Sequence, residues 1–162
     1  NLSYWSSWSN GFNIRKSEFD KIDKNLKLNK LFPHTSLFLT QHQAKLFCIN
    51  DNLLFDVQRI PKRGGHNKFE AFTIEYPSLL DECCKKGHIS TKCKKHILFG
   101  IMVQFLPSLL FNKYIIRIET FDDTGFRDNL KKYYPSYAYW LVLISVLGVP
   151  FRLFCRKLKN KR

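Results

Sequence analysis

The feature that most restricts this chain is its last apolar run. Residues 135–155 read PSYAYWLVLISVLGVPFRLFC, with Arg152 as their only charge. About 20 apolar residues in helical form cross a bilayer core. An arginine near the end of such a run can extend its long side chain to the far interface. Tyr133, Tyr134, Tyr137, Tyr139 and Trp140 gather at one end, as interfacial aromatics do. Lys131 and Lys132 bound that end; Arg152, Arg156, Lys157, Lys159, Lys161 and Arg162 bound the other. The pattern predicts a C-terminal transmembrane helix over 135–155 and a basic tail over 156–162. The competing reading is a core helix buried in a soluble fold.

A chain of 162 residues then leaves one small domain, 14–134, behind an aromatic, Ser-rich segment, 1–13. Its pattern predicts an α+β or mostly β fold. Ile14, Phe19, Ile22 and Leu26 recur at helical spacing, which predicts an N-terminal amphipathic helix over 14–32, with Ser17 and Asp20 at capping-box spacing and Pro33 as the stop. Residues 35–60 read as a hairpin turning at Asn50-Asp51-Asn52. KFEAFTIEY, 68–76, alternates with Phe72, Ile74 and Tyr76 on one face, the clearest strand pattern in the chain. Residues 97–105 and 109–121 read as two more strands bent at Pro107-Ser108, then a turn over 122–125 and a short juxtamembrane helix over 126–132. This makes about five or six strands in all. No internal repeat is apparent. For 97–111, ILFGIMVQFLPSLLF, the rival reading is a second membrane span paired with 135–155.

Charge narrows the partners. The net charge is +14, from 27 Lys and Arg against 13 Asp and Glu. That balance suits membrane lipid, an acidic protein subunit or nucleic acid. Lys85, Lys86, Lys92, Lys94 and Lys95 form a basic patch just before the second apolar run.

Cysteine usage allows several chemistries. Cys48, Cys83, Cys84 and Cys93 form an even set that fits two disulfides in an oxidising compartment, with the pairing open. Cys84, His88, Cys93 and His96 also offer two thiolates and two imidazoles, a ligand set suited to zinc, although the spacing follows no familiar finger or knuckle. Cys155, at the basic end of the anchor, is a lipidation candidate. Asn1-Leu2-Ser3 matches the N-glycosylation acceptor pattern. Neither G-x-S-x-G nor a P-loop occurs, and no catalytic set or small-molecule site is assigned.

Together these features predict a non-enzymatic, membrane-anchored subunit or receptor-like component acting through protein–protein contacts. Positive charge favours the cytosolic or matrix side for the tail. A single span then places 14–134 in an extracytoplasmic or intermembrane space. Two spans instead place 85–95 and 152–162 on one side and 112–134 on the other. The chain opens at Asn1 rather than Met, which points to a removed leader or to the edge of a longer chain. An alternative is a basic RNA- or ribosome-associated protein with a buried C-terminal helix.

Overall fold

Between positions 68 and 85 the buried side chains are Phe69, Ala71, Phe72, Thr73, Tyr76, Leu79, Leu80 and Cys83, together with Pro77. They recur every three to four residues, the period of one helical face rather than of a strand. The computed structural model describes residues 14–22, 28–40 and 67–159, and among these it contains seven helices and no strand. They are α1 (Lys16–Phe19), α2 (Pro33–Thr40), α3 (68–85), α4 (Thr91–Tyr114), α5 (Phe126–Tyr133), α6 (Ala138–Leu147) and α7 (Val149–Lys159).

The α+β or mostly β expectation is therefore overturned. The strand read over 68–76 is the first half of α3. The strands read over 97–105 and 109–121 are α4, followed by irregular chain from 115 to 125. Of the hairpin read over 35–60, residues 35–40 are helical, within α2, and 41–60 lie outside the described residues, as do 61–66. Of the helix expected over 14–32, Lys16–Phe19 is helical. Its N-cap is Arg15, so Ser17 and Asp20 do not form the capping pair.

α3 and α4 form an antiparallel hairpin with well-defined ends. Asn67 Oδ1 caps α3, accepting from the Phe69 N–H at 3.0 Å. Gly87, at φ 74°, closes α3 in a left-handed turn in which the Gly87 N–H donates to Cys84 O and the His88 N–H to Cys83 O. Ser90 Oγ then caps α4 by accepting from the Cys93 N–H at 3.1 Å. Lys94 pairs with Asp81 near the turn, and Phe72 meets Phe105 farther along the hairpin, with ring centroids 4.2 Å apart.

Both long helices carry the same interruption, and a short sequence repeat missed in the sequence reading goes with it. Ala71–Glu75 and Ile101–Phe105 are π-helical, and each is followed by an aromatic or Leu residue and then Pro-Ser-Leu-Leu. The Tyr76 N–H donates to Ala71 O and the Leu106 N–H to Ile101 O, five residues back. Pro77 and Pro107 come next. Proline in an α-helix interior collides with the carbonyl four residues earlier and offers no N–H. The wider π turn relieves the collision, but a backbone carbonyl remains without its helical donor.

Side chains from later in the chain supply those donors. Tyr134 Oη donates to Phe72 O and Arg152 Nη1 to Val103 O, both at 2.7 Å. Tyr134 is buried at the end of α5, and burial holds its phenol well above its usual pKa. α5 thereby sits across the π segment of α3, with Phe126 edge-on to Phe69 at 5.4 Å. α6 packs along α4. Lys113 ties the end of α4 to the following loop through Phe121 O and Asp123.

Tyr134→Phe keeps the ring and removes one donor from a buried carbonyl. The expected loss is about 1–3 kcal/mol in denaturant unfolding, whereas Tyr137→Phe at an exposed site shifts stability by less than about 0.5 kcal/mol. Equal shifts for the two variants would remove the Tyr134–Phe72 bond from this account.

Candidate membrane-contact surface

The segment predicted as one straight membrane helix is two helices. α6 ends at Leu147, Gly148 stands at the break, and the axis of Val149–Cys155 turns by 50°. Among the described residues one helix, α4, is long and apolar enough by itself to span a membrane. α6 and α7 pass the same test only as a bent pair. Half of the apolar stretch of α4 is covered by the chain's own helices.

The polarity of the bent pair is inverted relative to that of a soluble protein. Tyr137, Trp140, Ile144, Leu147, Phe151 and Phe154 follow one another at steps of three and four, and all are exposed, Leu147 at 80% and Phe151 at 70%. The inward positions are the smaller Ala138, Val142 and Val149. Arg152 also turns inward, half-buried, to Val103 O and, at 3.5 Å, to Ser145 O. In water an apolar stripe of this length would turn inward and the arginine outward. In hydrocarbon the preference reverses. Large apolar side chains meet lipid, small residues let helices approach, and a charge is retained where backbone carbonyls receive it. Among the described residues Trp140 and Leu147 are exposed, and Leu143 is half-buried.

The other predicted sites are dispersed. Lys85, Lys86, Lys92 and Lys95 are exposed around the α3–α4 turn, while Lys94 is held by Asp81. Cys83 is buried, Cys84 half-buried and Cys93 exposed; all three are free thiols, as is the half-buried Cys155 on α7. Cys48, the fourth disulfide candidate, and Asn1 lie outside the described residues. Among the described residues no group of three or more His, Cys, Asp or Glu side chains is placed to hold a metal ion, so Cys84, His88, Cys93 and His96 do not come together around zinc.

Several functional candidates were not identified from the sequence. The inward bond of Arg152 was missed because snorkelling to an interface explained the residue equally well. Pro77 and Pro107 were the available signal: a proline inside an apolar helix implies a donor elsewhere. Gln104, exposed near the middle of α4, was hidden by the strand reading.

Burial raises the Cys83 thiol from 9.0 to about 11, with nearby Lys86 pulling it partly back. The folded state thus holds this proton more tightly than the unfolded state. The resulting stability is fully present below pH 9 and is lost as pH rises toward about 11. Cys83→Ala should flatten that alkaline slope in unfolding titrations. At about pH 8, alkylation should reach Cys93 well before Cys83. Equal alkylation rates for the two thiols would contradict the burial.

No family model matches this chain, and no curated protein or solved structure matches it either.

Proposed function

We propose that this chain is a two-span membrane subunit in which α4 and the bent α6–α7 pair cross the bilayer side by side. In this reading it acts through contacts with other membrane proteins rather than by catalysis. The observation that carries the reading is the inverted polarity of α6–α7, with its apolar stripe outward and Arg152 inward. Length supports it. The 24 residues of α4 extend about 36 Å at 1.5 Å each, against a hydrocarbon core of about 30 Å. The two-span arrangement is favoured over the single span because α4 meets the length and apolarity test without help from a neighbour.

The assembly part of the reading rests on the other surfaces. Gln104 is exposed partway along α4, and its carboxamide makes no hydrogen bond among the described residues. At bilayer depth such a group calls for a partner from another polypeptide. α3 lies along α4 with Glu70 and Glu82 exposed, which suits protein or water better than lipid. Two spans put the basic stretch 85–95 and the basic end of the chain beyond Cys155 together on the cytosolic or matrix side, with Arg152 held at bilayer depth against Val103 O.

Variants with a single thiol, either Cys93 or Arg162→Cys at the end of the basic tail, distinguish the topologies. With an impermeant maleimide on sealed vesicles, two spans place both thiols on the same side, so the two variants give matching protection. Opposite protection would establish the single span of 135–155. Release of the chain into the soluble fraction by alkaline carbonate would sink the membrane reading altogether.

A further inference from the structure

Where α5 meets the start of α6, the surface has a small notch lined by Arg127, Leu130, Lys131, Pro135, Ser136, Tyr139 and Trp140. Its position follows from the sequence. Arg127 and Lys131 are one helical turn apart on α5, so they project from one face. Tyr134-Pro135 ends that helix, and the next turn returns the chain so that Tyr139 and Trp140 form the facing wall. The Arg127 guanidinium lies over the Tyr139 ring at 5.5 Å, and Trp140 stands edge-on to Tyr139 at 5.4 Å. Arg127 makes no ion pair among the described residues. Lys131 shares its charge with Asp128 at 2.8 Å across an exposed pair, a contact that water and incoming anions compete with readily.

We propose that this notch binds the phosphate of an anionic glycerophospholipid whose acyl chains lie along the α6–α7 stripe. The inference rests on the membrane reading above and adds a ligand to it. Two cations and a serine in the lining are donors of the kind a phosphate takes, and guanidinium suits phosphate oxygens geometrically. Trp140 belongs both to the notch and to the exposed stripe that continues through Ile144, Leu147 and Phe151. A ligand filling both places is charged at one end and hydrocarbon at the other, which selects a lipid over a free phosphate. Tyr137 and Trp140 mark the depth at which headgroups meet acyl chains.

The test uses the full chain with Trp5 and Trp8 replaced by Phe, so that Trp140 is the sole indole. The chain is reconstituted in phosphatidylcholine vesicles containing a small fraction of acyl-brominated phosphatidylglycerol or, separately, acyl-brominated phosphatidylcholine. Brominated phosphatidylglycerol should quench Trp140 as though enriched roughly fivefold over its mole fraction, from the attraction of basic residues for anionic lipid. Arg127→Gln with Lys131→Gln should abolish that enrichment and leave quenching by brominated phosphatidylcholine intact. Lys85→Gln with Lys86→Gln, at the far turn, should leave the enrichment unchanged. Equal quenching by the two lipids in the parent chain would overturn the headgroup site while preserving the membrane reading. Absence of quenching by either lipid would overturn both. Millimolar glycerol phosphate should leave most of the enrichment in place, because acyl chains along the α6–α7 stripe add to the headgroup contact; complete displacement would overturn the role given to the stripe.

Discussion

Two prolines within long helices set the terms for the rest of this structure. Pro77 and Pro107 each remove a backbone donor from a segment that packing otherwise keeps away from water. An unsatisfied carbonyl in such a place costs free energy comparable to a lost hydrogen bond. The fold meets that requirement twice, each time by bringing in a side chain distant in sequence. Tyr134 reaches Phe72 O and fixes α5 against α3; Arg152 reaches Val103 O and fixes α7 against α4. The arrangement of the C-terminal helices is thus tied to defects in the earlier ones. The π turns relieve the steric part of each defect, and the later side chains satisfy the electrostatic part.

The two ties differ in chemistry, and the difference matches their surroundings. Tyr134 is neutral and almost wholly enclosed, with aromatic rings on the helices around it. Arg152 carries a full charge and sits half-buried at the edge of the α4–α7 contact, with Phe151 and Phe154 on its outer side. A neutral donor suits a dry core; a guanidinium suits a place where several carbonyls face one side and hydrocarbon the other. The lipid-facing interpretation of α6–α7 therefore draws on the direction of the arginine as well as on the exposure of its neighbours.

Part of this was legible in the residues. The apolarity of 135–155, its aromatic end and its basic end were plain, as was the rival pairing with 97–111. The helical nature of 68–85 was not. Over the nine residues of KFEAFTIEY, Phe72 and Tyr76 satisfy a strand period and a helix period equally well, and only the continuation through Leu79, Leu80 and Cys83 separates them. Pro107 misled in the same way, since a proline more often ends a regular element than interrupts one. The notch at Arg127 and Lys131 was not visible because it depends on a chain reversal at Pro135 that brings Tyr139 beneath the guanidinium.

The bond from Arg152 to Val103 also constrains the chain's tolerance to insertions and deletions. Each residue added to or removed from a helix rotates everything beyond it by about 100° about the axis. Between Gly148 and Arg152, one inserted residue would swing the guanidinium off its carbonyl and carry Phe151 and Phe154 toward α4. A substitution in this interval changes one contact, whereas a length change reassigns the inner and outer faces of α7 as far as Cys155. Length variation should therefore be purged from these few positions even where side-chain identity drifts.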